Sequence, residues 1–219
     1  MGLLWLGFTA WGAFDIRLGY FISVIYKKKT KCKKIAITFD DGPTEYTPEV
    51  LALLKQYNAK ATFFCIGKQL EKHPVYAKQI IAQGHQLGNH SYSHTSKFGF
   101  FSAKQIEEEL KKTTAIIEKI SGNKNYYFRP PFGVTNPHIA QAVKKTGLKV
   151  IGWNIRSLDT VIEDETKILN RIVKKIKPGG IILLHDTSEK TVRVLEQLLP
   201  ILQEQKYQLQ DLDKFLADD

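Results

Sequence analysis

From residue 35 onward, short runs of β-branched and aromatic residues alternate with amphipathic helical patterns, and this alternation constrains the fold more than any other feature of the sequence. Strands are predicted at residues 35–39, 61–66, 86–89, 126–129, 148–154, 181–185 and 207–210. Helical signals fill the intervals. Ser102 opens a helix over 103–120, with Gln105 completing a capping box and Ser121-Gly122 as the stop. Asn136-Pro137 is an N-cap followed by proline at the first helical position, and Gly147 ends that helix. Pro178-Gly179-Gly180 separates a helix around 169–176 from the next strand. Strands interleaved with helices belong to an α/β architecture with a parallel sheet. A closed or nearly closed barrel and an open doubly wound sheet both accommodate the order. In both, chemistry gathers at the carboxyl ends of the strands.

The polar residues fall at those ends. The first strand runs into Thr38-Phe39-Asp40-Asp41-Gly42-Pro43, two adjacent carboxylates at a turn. Alone, this is an ordinary solvated Asp-Gly turn. The third strand ends in Asn89-His90-Ser91-Tyr92-Ser93-His94, whose two imidazoles converge on one cation if the segment makes a helical turn. Two histidines and one carboxylate leave open positions for water and substrate, as catalytic metal sites do. Arg129 closes the fourth strand before Pro130-Pro131-Phe132-Gly133, Asp159 follows the fifth, and His185-Asp186 ends the sixth. Singly, these read as a surface charge, a cap and a core histidine. Their recurrence at successive strand ends is more than structure requires.

These motifs, in this order, closely resemble the polysaccharide deacetylases, the carbohydrate esterase family built on the NodB homology domain; the resemblance runs from about residue 35 to 212. It implies a distorted (β/α)7 barrel. It further implies that Asp41, His90 and His94 hold a divalent metal, usually zinc, with Co2+, Ni2+ and Mn2+ as substitutes. By the same resemblance Asp40 is the general base, Arg129 orients it, His185 is the general acid and Asp159 tunes His185. Ser91 stabilises the metal loop, the Phe132 backbone N–H helps bind the oxyanion, and Leu183 lines the pocket for the acetyl methyl. One motif departs from the family, which commonly has Asp-x-x-Asp-Trp where this chain has Arg156-Ser157-Leu158-Asp159-Thr160. An acid is replaced by arginine and a pocket-walling tryptophan by threonine. Trp153 or another aromatic is then left to fill the space.

The expected activity is removal of N-acetyl groups from amino sugars of a glycan, such as peptidoglycan, a chitin-like oligosaccharide or another envelope polymer. The alternatives are an O-acetyl esterase on xylan-type polysaccharide and a non-catalytic glycan-binding protein of the same fold. Composition bears on two further classes. At 43% apolar residues the chain has the makings of a core, and Cys32 and Cys65 are too few for a disulfide framework or a thiolate zinc site. The formal charge is +10, but six lysines within residues 27–34 supply most of it and leave +4 for 35–219. A nucleic-acid surface spreads its charge over the fold, so nucleic acid is not an expected partner.

The lysine run follows an apolar segment that carries no charge from Gly2 to Phe14. That is shorter than the roughly 20 residues of a spanning helix. It lacks the basic start and the cleavage site of a signal peptide. A short membrane anchor, an interfacial segment carrying Trp5 and Trp11, and a buried extension of the fold remain open. The chain is therefore expected to divide into residues 1–34, an apolar leader and lysine-rich junction that is a candidate membrane anchor, and residues 35–219, the deacetylase-like domain. A location in the cell envelope or beyond it follows from the implied substrate.

Overall fold

The computed structural model of the protein describes residues 2–217. Its strands are β1 (Val24–Ile25), β2 (Lys34–Asp40), β3 (Thr62–Cys65), β4 (Gln86–Asn89), β5 (Tyr127–Phe128), β6 (Lys149–Ile151), β7 (Ile155–Arg156), β8 (Gly180–His185) and β9 (Gln208–Gln210). They pair in parallel in the order β1-β6-β5-β4-β3-β2-β8-β7, with β9 beside the first half of β2. The sheet curls into a half-barrel, the distorted barrel that the motifs imply. Its helices are α1 (Gly2–Phe14), α2 (Thr47–Gln56), α3 (Gly67–Lys72), α4 (Pro74–Ala82), α5 (Ala103–Ser121), α6 (Pro137–Thr146), α7 (Glu165–Val173), α8 (Glu189–Glu204) and α9 (Leu212–Leu216). The capping box of Ser102 and Gln105, the Asn136 cap, and left-handed Gly122 and Gly147 bound α5 and α6 where the sequence predicts.

Alternation along the central strands sorts the side chains. Ile35, Ile37 and Phe39 of β2 join Ile182 and Leu184 of β8 in a core shared with residues of α2, α7 and α8. Ala36, Ile181 and Leu183 join a second core with Phe64, Phe128 and Trp153. Because side chains alternate with period 2, Thr38 and Asp40 share a face with Ala36, and His185 shares one with Ile181 and Leu183. Asp40 and His185 are register partners on neighbouring strands, so both arrive at one end of the barrel on one side of the sheet. Strands buried on both faces explain the near-continuous apolar runs.

The predicted strand over 148–154 is realised only as β6, after which the chain crosses to β7 at the far edge of the sheet. The carbonyls of Ile151 and Gly152, which a continuous strand would offer to a ladder, instead accept hydrogen bonds from Arg129 at 3.2 and 3.0 Å. The intervening residues cross the seam of the barrel, and Asn154 Oδ1 accepts the Ile181 N–H at 2.8 Å.

A strand that the sequence reading did not anticipate, β1, lies within the leader. It pairs with β6 on one side of the seam, while Lys27 bridges Gly180 and the Lys28 N–H donates to the Gly179 carbonyl on the other. Gly179 has φ 77° with the Lys28 carbonyl pressed against it, so a side chain there would collide with backbone. The boundary expected at residue 34 thus falls within β2, in the same sheet as β1. Ile16 is buried, while Trp11 is exposed and the Trp5 side chain is outside those described. Among the described residues no helix is long and apolar enough to cross a membrane. Lys27, Lys29, Lys31 and Lys33 are exposed near the starts of β2 and β8, the end of the barrel opposite Asp40 and His185.

Candidate active site

Arg129 is fully buried at the end of β5 and organises the first carboxylate. Its Nη1 donates to Asp40 Oδ1 at 2.7 Å and to Thr38 Oγ1 at 2.8 Å, and its guanidinium lies 4.2 Å from the centre of the Phe64 ring. Burial pulls the Arg129 pKa down, and the Asp40 carboxylate opposes that pull. Removing one partner of such a pair leaves a buried charge unmatched, at about 3–5 kcal/mol. Asp40 Oδ1 is thereby committed to Arg129. Its Oδ2 lies 3.8 Å from His90 Nε2.

Asp41, His90 and His94 converge, as their residue types suggest, but not through a helical turn. Residues 90–94 form a bend in which Ser91 and His94 have φ of 63° and 47°, and Asp41 has φ of 73°. Left-handed backbone at non-glycine residues is uncommon, and here it aims side chains inward. Asn89 Oδ1 accepts the Ser91 N–H at 2.9 Å, Ser91 Oγ accepts the His94 N–H at 3.1 Å, and Glu109 accepts the N–H groups of Tyr92 and Ser93. His90 Nδ1 donates to the Arg129 carbonyl at 2.7 Å, which leaves its Nε2 as the free lone pair.

Asp41 Oδ1 lies 3.4 Å from His90 Nε2 and 3.3 Å from His94 Nε2, and one ligand atom from each residue falls within 4.8 Å of the others. Asp41 Oδ1 and His94 Nε2 are buried without a hydrogen-bond partner among the described residues. Orphaned buried acceptors are costly, and one carboxylate with two neutral imidazoles is a donor set suited to a divalent cation. The trio fits such an ion. Burial favours a neutral Asp41 carboxyl, but the three histidines around it overcome that and hold it well below the carboxylate range.

The second cluster is complete without any added group. His185 Nδ1 lies 2.8 Å from Asp159 Oδ1, and the His185 N–H donates to Asp159 Oδ2 at 2.8 Å. Ser157 Oγ donates to Oδ1 at 2.7 Å and Thr191 Oγ1 to Oδ2 at 2.9 Å. Burial alone would raise the Asp159 carboxyl, but these bonds, led by His185, hold it below its ordinary range. Burial also disfavours a charged His185, and Asp159 reverses that, pushing the imidazole up to about 9. His185 Nε2 faces the trio, 4.0 Å from Asp41 Oδ2.

Phe132 follows Pro131 with φ of 59°, and its ring centre is 4.9 Å from that of His94. Gly133 and Val134 close this turn by donating to the carbonyls of Pro130 and Pro131. Leu183 is buried on β8 beside the split segment, its carbonyl accepting the Ser157 N–H. Trp153 packs against Gly133, while Thr160 is exposed. Several contributors carry no signal in a linear reading: Thr38, Glu109 and Thr191 act through partners distant in the chain, and Asn89 and Ser157 through neighbours two residues on. Asp186, singled out with His185, is fully buried, takes a 2.5 Å hydrogen bond from Thr47 and is pushed up to about 7 mainly by burial. Its carboxyl lies against Gly42, where any side chain would collide with it.

A family model described as polysaccharide deacetylase matches residues 27–151, a stretch that contains Asp40, Asp41, His90, His94, Arg129 and Phe132. The chain belongs to the polysaccharide deacetylase family. Among its relatives, the peptidoglycan-N-acetylglucosamine deacetylase of Bacillus cereus is 36% identical over 190 residues, 84% of this chain and 88% of that one. The peptidoglycan-N-acetylmuramic acid deacetylase PdaA of Bacillus subtilis is 32% identical over 201 residues, 88% of this chain and 75% of that one. Among solved structures, a CE4 family pseudoenzyme from Bacillus anthracis superposes with a TM-score of 0.82 at 28% identity, over 89% of this chain and 69% of that one. Asp159, Leu183 and His185 lie beyond the stretch matched by the deacetylase family model, so their association with the site rests on geometry.

Proposed function

We propose that the protein is a metal-dependent hydrolase that removes N-acetyl groups from amino sugars of an envelope glycan. One observation carries the reading. Three potential ligand atoms, two of them buried without a partner among the described residues, lie within 4.8 Å of one another, flanked by a carboxylate held by arginine and an imidazole held by a carboxylate. Asp41, His90 and His94 would hold the cation, for which zinc suits the donor set best, with Co2+, Ni2+ and Mn2+ as substitutes. When bound, such an ion acidifies water and polarises the acyl oxygen.

The chain's own groups do the rest. Asp40, oriented by Arg129, accepts the proton of the attacking water. The Phe132 N–H stabilises the oxyanion as it forms, and Leu183 receives the acetyl methyl. His185 gives its Nε2 proton to the departing amine, which is a poor leaving group without it. Asp159 keeps that proton in place at neutral pH. Ser91 holds the metal loop in its strained form.

Likeness to a pseudoenzyme supports a second reading, a glycan-binding protein without turnover. The presence of Asp40, His185 and all three ligand residues opposes it. Acetate release decides between them. Zinc-loaded protein is expected to release acetate from N-acetylglucosamine oligomers or peptidoglycan fragments, to stop with EDTA and to recover with zinc. Release from acetylated xylan alone would move the reading to an esterase. Silence on every N-acetylated glycan with all four metals would overturn it.

The deacetylase relatives support a location at the cell envelope. There the exposed lysines of residues 27–34 would meet an anionic membrane surface. Cosedimentation with vesicles of anionic lipid is expected to fall when Lys29, Lys31 and Lys33 become Gln, and unchanged binding would remove this role.

A further inference from the structure

A second cleft opens one indole away from the site, and its chemistry is cationic. It has a volume of about 340 Å³ and lies at the barrel seam between the end of α1, the segment that joins β6 to β7, and α7. Arg17, Arg156, Arg171 and Lys175 line it, with Phe14 and Trp153 as apolar walls. Asp15 neutralises Arg17 at 2.6 Å. Among the described residues, no carboxylate pairs with Arg156, Arg171 or Lys175. Three unmatched cations in one concavity repel each other and gain from an anion.

Two of them are held rather than loose. The Arg156 guanidinium lies 5.8 Å from the Trp153 ring centre, and Arg171 Nε donates to the Arg156 carbonyl at 2.9 Å, leaving its terminal nitrogens for a ligand. Trp153 connects this cleft to the chemistry, since its ring also packs on Gly133 and lies 5.6 Å from Arg129, which holds Asp40. Arg156 is also the residue at which the chain departs from its family's motif, with a cation in place of the usual acid. Apart from its contact with the Trp153 ring, the Arg156 side chain makes no hydrogen bond or ion pair among the described residues.

Resting on the deacetylase reading above, we propose that this cleft is an anion subsite: Arg156, Arg171 and Lys175 bind a carboxylate or phosphate carried by the glycan next to the sugar being deacetylated. Guanidinium groups suit planar oxyanions through paired hydrogen bonds. The substrate class this selects is an acidic glycan rather than a neutral one.

The test compares two N-acetylated oligosaccharides of equal length, one neutral and one with a carboxylate on alternate sugars. Equilibrium titration at low salt, with the zinc-loaded protein carrying Asp40→Asn, is expected to show the acidic oligomer binding at least about tenfold more tightly, the scale of one charge-assisted hydrogen bond. Arg156→Gln and Lys175→Gln, each added to that background, should each erase most of the preference, whereas Lys31→Gln, at the other end of the barrel, should preserve it. Inorganic phosphate should compete with the acidic oligomer if the subsite reads charge, and leave it bound if the subsite reads carboxylate geometry; either outcome supports an oxyanion site. Equal binding of the two oligomers, or a preference that survives both cleft variants, would overturn the proposal. Binding is read without turnover, so a protein that fails to release acetate still tests the subsite, and acetate release from the neutral oligomer tests the deacetylase reading separately.

Discussion

The two halves of the site are built on opposite principles. The Asp159 carboxylate accepts four hydrogen bonds from groups of the chain and orders His185 by itself. The trio of Asp41, His90 and His94 is left with two buried atoms that no group among the described residues satisfies. One half is finished by folding, and the other needs a cation. Left-handed backbone occurs on both sides, at Asp41, Ser91 and His94 in the unfinished half and at Leu158, next to Asp159, in the finished one. A fold tolerates such strain where the surroundings over-determine it, and here Asn89, Glu109 and Asp186 brace the loops.

The sharpest break of this contrast is to remove ligands. Asp41→Ala, His90→Ala and His94→Ala should each abolish zinc binding, measured by metal analysis of the purified protein, and reduce acetate release to background. The His185 and Asp159 resonances in NMR spectra should keep their coupling in these variants. Full metal content in all three would end the ligand assignment. Next in size is Asp40→Asn, which leaves the trio intact and should retain zinc while losing at least about 100-fold in rate, the scale of a lost general base. Undiminished turnover would remove that role.

Much of this was legible in the linear sequence because it depends on local pattern. The strand over 86–89, the capping box at Ser102 and the polar strand ends are written in neighbouring residues, and they appear where expected. What escaped depends on contacts across the chain. The strand over 148–154 breaks because Arg129, some 20 residues earlier, takes its carbonyls. Val24–Ile25 looked like leader because nothing nearby shows that β6 lacks a neighbour on that side. Thr191 is an ordinary helix residue until Asp159 is folded against it. The spacing of His90 and His94 gave the right convergence, while the bend that achieves it, rather than a helical turn, rests on the hydrogen bond that the Ser91 N–H donates to Asn89 Oδ1.

On the finished side, the effects should be smaller and should be read in pH. Asp159 raises the His185 pKa to about 9, so loss of its negative charge lowers that value toward the ordinary 6.5. The acid must be protonated to act, so the alkaline limb of the rate profile moves to lower pH in Asp159→Asn. With the ordinary pKa, only about one-tenth of the imidazole is protonated at pH 7.5, and the rate there should fall about tenfold while recovering below pH 6. A uniform loss at every pH would mean that Asp159 positions His185 without tuning it.

The smallest effect tests whether the second half is as self-contained as it looks. Ser157→Ala removes one of the four hydrogen bonds to Asp159 and leaves three. The cost should be about 1 kcal/mol of stability, since the carboxylate keeps most of its partners. In a chain of 219 residues that is a fall of about 2–4 °C in melting temperature. The decisive comparison is between metal-free and zinc-loaded protein. If the dyad is completed by folding alone, the fall is the same in both, and zinc affinity is untouched. If zinc affinity drops together with the melting temperature, then the 4.0 Å gap between His185 and Asp41 transmits the disturbance and the two halves form one coupled unit.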